Sequence, residues 1–148
     1  MNTVLVPIDF SDATEPVVKT ARALAQAFAS RIVLLHVAEP DPDFIGFEPG
    51  PITVRQSVAR DFKAEHQRLD ELKTVIAADG GEVLALHIQG ATVVKILQEA
   101  EQQGASWIVI GTHGHGAFYE LLVGSVAQGV IKGASCPVVV VPAQQGAH

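Results

Sequence analysis

The chain has 148 residues, 48% of them apolar and 18% charged, with a formal net charge of −6. That length and balance fit one globular domain, predicted over residues 1–148, and exclude a disordered chain. The acidic balance, with no Lys/Arg cluster, argues against nucleic acid as the main partner, because no basic face offsets phosphate repulsion. The one cysteine, Cys136, permits no internal disulfide and fits a reducing compartment. The apolar run Val4 to Ile8 is too short for a signal segment, and no run approaches the ~18 apolar residues of a membrane span. The expectation is a soluble cytoplasmic protein.

Thr3-Val-Leu-Val-Pro-Ile8 reads as a short buried strand, with Pro7 near its end because proline removes a ladder donor. Asp9 follows, and Ser11 or Asp12 is expected to cap the next helix, with Pro16 in its first turn. Val17, Ala21, Leu24 and Phe28 recur at helical spacing. Arg31 to Val37 is the second strand, with His36 near its end. Glu39 to Ile52 carries four prolines and two glycines and reads as a loop. Val54, Val58, Phe62, Leu69, Leu72 and Ile76 mark a long second helix ending near Gly80-Gly81. Glu82 to Ile88 is a third strand, with His87 near its end. Val93, Ile96, Leu97 and Ala100 mark a third helix that ends at Gly104. Trp107 to Ile110 is the fourth strand. Val126, Val130 and Ile131 mark a fourth helix, and Val138 to Val141, fenced by Pro137 and Pro142, is the fifth strand.

Strand and helix thus alternate, which predicts an α/β fold: an open five-stranded parallel sheet covered by helices on both faces. Right-handed crossovers leave few topologies, and the order 3-2-1-4-5 is one natural solution. In that order the first and fourth strands flank the reversal, where ligands bind at strand carboxyl ends. Asp9 and Gly111 would then face each other across a crevice.

The stretch from Gly111 to Ser125 is the chemically informative one. It reads Gly111-Thr112-His113-Gly114, nine further residues, then Gly124-Ser125-Val126. Glycines let backbone N–H groups approach a ligand, and a helix start adds unpaired donors and positive dipole, a combination suited to phosphate. Established phosphate motifs do not fit. No lysine precedes Ser125 as a Walker loop needs, Tyr119 stands where a dinucleotide fingerprint needs glycine, and Val123 breaks a nucleophile elbow. A plain loop with turn glycines is the competing reading. His113 and His115 can donate hydrogen bonds to phosphate, but as a metal pair they lack a third ligand at useful spacing. Asp9 is a turn former or helix cap, or else an acceptor for ribose hydroxyls or a base amine, or an Mg²⁺ ligand. His36 and His87 read as satisfied strand-end histidines.

Taken together, Val6-Pro7-Ile8-Asp9-Phe10-Ser11, Leu35-His36-Val37, Ile110-Gly111-Thr112-His113-Gly114, Gly124-Ser125-Val126 and Pro137-Val-Val-Val-Val141 resemble the universal stress protein family over nearly the whole chain. The resemblance implies a Rossmann-like sheet of order 3-2-1-4-5 and an ATP-binding branch, whose Gly-x₂-Gly-x₉-Gly-Ser motif is matched here. It implies that Pro7, Ile8 and Asp9 line the adenosine site and that Val37 contacts adenine through its backbone. Gly111, Thr112, His113, Gly114, His115, Gly124, Ser125 and Val126 would hold ribose and phosphates, with Mg²⁺ or Mn²⁺ on the phosphates and no protein metal ligand assigned. It also implies a homodimer through Val138–Val141, a sheet edge that physics alone would want covered. Two departures stand out: His115 where Arg or Lys is usual, and Ile8 where many members have Thr. The implied function is a nucleotide-dependent regulatory binding module in stress response, acting on a regulatory protein partner that the sequence does not identify. With no lysine in the loop and no evident base, no catalytic residue is assigned. A slow ATPase or a nucleotide-free dimeric interaction protein are the alternatives.

Overall fold

The computed structural model describes residues 2–38, 52–112 and 123–143. Its elements run β1 (Thr3–Pro7), α1 (Thr14–Ala27), β2 (Arg31–Ala38), α2 (Ile52–Ala77), β3 (Val83–Gln89), α3 (Thr92–Gln102), β4 (Trp107–Gly111), α4 (Ser125–Gly133) and β5 (Val138–Val141). All pairings are parallel and the sheet order is β3-β2-β1-β4-β5, as the alternation predicted. Nearly all of the proposed Glu39 to Ile52 loop lies outside the described residues; its last member, Ile52, is already the first residue of α2.

The strands sort their side chains by parity, as a pleat requires. Val4, Val6, Ile8, Ile32, Leu34, Val109 and Val141 point to one face, where α1 and α2 cover them with Val17, Ala21, Leu69 and Ile76. Leu5, Val33, Leu35, Val37, Ile108 and Ile110 point to the other, against Ile96 of α3 and Ala127 and Val130 of α4. Both faces of the central strands are therefore dry, which is why β1 and β2 read as unbroken apolar runs rather than alternating ones. Leu5, Leu34 and Leu35 are wholly inaccessible.

Two local readings need correction. Neither Ser11 nor Asp12 caps α1: the N-cap is Ala13, with no side-chain cap bond. Asp9 Oδ1 instead accepts from the Ser11 N–H at 3.0 Å and the Ser11 hydroxyl at 2.6 Å. The Ser11 hydroxyl oxygen in turn accepts from the Ala13 N–H at 3.2 Å and the Ser11 carbonyl from the Thr14 N–H at 3.0 Å, so Ser11 closes the turn that leads into the helix. Phe28 is not on the buried stripe of α1. It follows the last helical residue and is 48% exposed, with its ring on Trp107 at 5.4 Å. At the end of α3, Gly104 takes φ +62°, and the Ala105 N–H reaches back to the Ala100 carbonyl at 2.9 Å, an arrangement that ends a helix cheaply only with glycine at that position.

Helix α4 carries two glycines toward α3. A Cβ built on Gly129 would stand 2.8 Å from Val93 Cγ2, and one on Gly133 would stand 2.5 Å from Leu97 Cδ1. Glycine weakens a helix interior by about 1 kcal/mol relative to alanine, and here the loss is exchanged for close approach of the two helices.

Candidate functional site

The crevice forms where two strands part. β1 and β4 pair only at Val4↔Trp107 and Leu5↔Ile108. Beyond Leu5, β1 runs on through Val6 and Pro7, and β4 runs on to Gly111. Pro7 has no N–H to extend a ladder. The topological switch point therefore opens at the carboxyl ends of these two strands.

The predicted residues gather around it unevenly. Pro7 is half-buried, Ile8 is 4% exposed with its side chain in the α1–α2 core, and Asp9 is exposed. The Ile8 N–H donates to the Leu35 carbonyl at 2.8 Å, so Ile8 is committed to β2 and to the core. Phe10 follows with φ +59°, a left-handed backbone that bulky residues rarely adopt. The Val37 side chain is buried on the α3–α4 face. Gly111 ends β4. The Thr112 N–H donates to Val141 at 2.9 Å, and the Thr112 carbonyl accepts from the Gly124 N–H at 2.6 Å. Gly124 is the N-cap of α4, and Ser125 and Val126 are exposed in its first turn. His113, Gly114 and His115 lie outside the described residues.

A second constellation lies on the α1–α2 side of the same strand ends. The β2–β3 register pairs His36 with His87, and their rings stand 5.2 Å apart. His36 Nδ1 lies 2.6 Å from the Ile8 carbonyl, and its Nε2 lies against Glu65 Oε2 from α2. Each His36 ring nitrogen thus has a neighbour within bonding distance, as the sequence suggested. His87 differs. Its side chain is 2% exposed, both ring nitrogens lack a hydrogen-bond partner among the described residues, and its Nε2 stands 3.9 Å from Glu65 Oε2. Phe62 stacks flat on it at 3.8 Å, with His66 further along at 5.7 Å. Burial, followed by the neighbouring His36, pushes the His87 imidazole below its ordinary pKa; Glu65 pulls upward and His66 again downward.

The reading of the sequence missed this group, although a signal was present. Phe62, Leu69, Leu72 and Ile76 define the inner stripe of α2, and Glu65 stands on that stripe where an aliphatic residue is expected. Only the strand register shows that two histidines face it.

These features define a class: an open, doubly wound α/β protein whose strand order reverses between β1 and β4. A profile of the universal stress protein family matches residues 1–142, and the chain belongs to that family. A universal stress protein of Thermus aquaticus is 36% identical over 141 residues, covering 94% of this chain and 97% of that protein. Universal stress protein MJ0577 of Methanocaldococcus jannaschii is 28% identical, covering 93% of each. Its solved structure matches with a TM-score of 0.75 at 26% identity over 98% of both chains. Two more distant folds were solved with nucleotides: an Archaeoglobus fulgidus universal stress protein in complex with dAMP (TM-score 0.69, 22% identity, 95% of this chain and 98% of that one), and a universal stress protein in complex with cAMP (TM-score 0.66, 21% identity, 97% and 98%).

Proposed function

We propose that this chain binds an adenine nucleotide, ATP first among them, at the β1–β4 crevice and acts as a nucleotide-dependent regulatory module in the cytoplasmic stress response. The observation that carries the reading is the early end of the β1–β4 ladder, with Asp9 on one bank and Gly111, Thr112 and the Gly124–Ser125 helix start on the other. The crevice end of α4 offers unpaired backbone N–H groups and positive dipole, which suit a phosphate. The complexes of the distant relatives with dAMP and cAMP support an adenine nucleotide as the class of ligand.

In this reading Pro7, Ile8 and Asp9 border the adenosine; Ile8 lines it only by position, since its side chain is in the core and its N–H is bonded to Leu35. Val37 acts through its backbone. Gly111, Thr112, His113, Gly114, His115, Gly124, Ser125 and Val126 hold the ribose and phosphates. Asp9 and Ser125 supply exposed oxygens of the type that Mg²⁺ or Mn²⁺ accepts, so the residues fit an ion carried on the phosphates. Such an ion neutralises phosphate charge. No residue of the described crevice is assigned a step in hydrolysis; the module senses nucleotide rather than consuming it. Dimerisation through β5 fits its place at the sheet edge.

Calorimetric titration with ATP and Mg²⁺ tests the proposal. One nucleotide per chain is expected, and Gly114→Val should abolish the heat while leaving the far-UV circular dichroism unchanged. No heat and no thermal shift at millimolar ATP would sink it and leave a nucleotide-free interaction protein.

A further inference from the structure

The chemistry of the His36–Glu65–His87 group is unbalanced as a set of protein groups alone. His36 Nδ1 faces the Ile8 carbonyl at 2.6 Å, which only a donor can satisfy, so Nδ1 carries the proton. In the neutral ring Nε2 is then a bare lone pair, and it is aimed at a carboxylate oxygen of Glu65. Two acceptors do not face each other without something positive between them. Beside them, His87 has no partner for either ring nitrogen among the described residues, in a side chain that is 2% exposed. A buried polar group left unpaired is costly, and native proteins seldom tolerate one without a reason.

We propose that His36, Glu65 and His87 form a binding site for a late first-row divalent cation, with Zn²⁺ the ion that the donor set suits. Two imidazole nitrogens and one carboxylate oxygen are ligands of the right type, and a solvent molecule would complete a tetrahedron. The three donor atoms lie within 4.8 Å of one another. Bonds of about 2.0–2.2 Å to a tetrahedral ion need donor separations of about 3.4 Å. His87 Nε2 and Glu65 Oε2, at 3.9 Å, are already near that value. The two histidine donors, no more than 4.8 Å apart, must also draw together, so the adjustment is shared between Glu65, a long side chain on a helix, and rotation of the two imidazoles, while β2 and β3 hold the histidine backbones in register.

The surroundings are those of a metal site. The Ile8 carbonyl fixes the His36 tautomer, the usual outer-shell partner of a ligating histidine. Phe62 stacks on His87 and Phe10 packs on His36 at 4.8 Å, with the Arg68 guanidinium 4.3 Å over the far ring, so the walls are aromatic. His66 is turned to Asp70, with Nε2 to Oδ2 at 3.3 Å, and is more than half exposed, so it is not counted as a ligand. The site is separate from the nucleotide crevice. His36 and Val37 are consecutive, and their side chains lie on opposite faces of the sheet. A bound ion would tie α2 to β2 and β3 at the strand ends.

The alternative source of positive charge is a proton on His36, and experiment separates the two. The full chain, stripped with EDTA and free of nucleotide, is titrated with Zn²⁺ near neutral pH against a chromophoric chelator. One ion per chain is expected, with a rise in thermal midpoint. Glu65→Gln and His87→Phe should each weaken binding by at least about 100-fold, more than is typical for loss of an outer-shell partner. His66→Ala, which removes a neighbouring imidazole that is turned to Asp70, should leave it unchanged. In EDTA, His87→Phe should be at least as stable as the parent, since it removes an unpartnered buried imidazole and keeps the stack on Phe62; this variant therefore reads binding without a folding defect. Co²⁺ should give the visible absorption of a four- or five-coordinate site, lost in the same two variants. Absence of binding at 100-fold molar excess of Zn²⁺, or binding that survives both substitutions, overturns the proposal. Neither result bears on nucleotide binding, which the ATP titration reads by itself.

Discussion

Gly129 tests whether helix packing or helix propensity governs the position of α4. Alanine at this site gains about 1 kcal/mol of intrinsic helix stability. Against that, the new methyl would meet Val93 at 2.8 Å from Cγ2 and 3.0 Å from Cγ1. Both branches of a β-branched residue on a helix are hit, and its χ1 has one strongly preferred well, so rotation gives little relief. Overpacking of this kind costs about 1–3 kcal/mol. The net expectation for Gly129→Ala is destabilisation by about 1 kcal/mol, a fall of about 0.5 M in the urea midpoint for a slope of about 2 kcal/mol per M. In a Val93→Ala background the clash is gone and the sign reverses, to a gain of up to about 1 kcal/mol. The double-mutant cycle should therefore return a coupling of about 2 kcal/mol. Equal effects in both backgrounds, or a stabilised Gly129→Ala single variant, would refute the packing argument.

Two further outcomes follow from residues away from the site. Burial pushes the half-buried Cys136 thiol above its usual range, so at pH 8 it should react with a disulfide reagent about tenfold more slowly in the native protein than in urea; equal rates would contradict this. The same shift means that the unfolded chain loses the thiol proton first as pH rises, so its contribution to stability fades above the ordinary thiol range rather than below it. On β5, Val141 and Pro137 turn their carbonyls toward β4, which leaves Val140 with its backbone on the free edge. Val140→Pro should then convert a dimer to a monomer in light scattering while keeping the circular dichroism of the fold, and a dimer that persists would locate the interface elsewhere.

Much of the fold was legible because its signals are local. Apolar runs fenced by glycine and proline mark β1, β4 and β5, and helical spacing marks α2 and α3. Their alternation carries the sheet order through handedness alone. The start of α1 was misread by a residue or two: Ser11 Oγ accepts from the Ala13 N–H, in the turn ahead of the helix, and Ala13 is the N-cap. Phe28 was misread because its spacing continues the α1 stripe one residue beyond the helix. The His36–Glu65–His87 group was not legible from spacing at all. Glu65 lies 29 residues from His36, and only the pairing of β2 with β3 gives His87 its place beside them. Gly111, Gly124 and Ser125 show the reverse: they sit at element ends that the sequence already delimits.

The single hydrogen bond from Gly124 to Thr112, at 2.6 Å, joins the two ends of an eleven-residue span, 113–123. The ends of that span belong to β4 and to the start of α4. Loop-closure entropy grows only logarithmically, so doubling the span costs about 0.6 kcal/mol. An insertion within the interval should therefore leave Gly111, Thr112, Gly124 and Ser125 in position at little cost to stability. Under the proposed function, chimaeras that swap this interval alone would read how far it sets nucleotide affinity without rebuilding the scaffold.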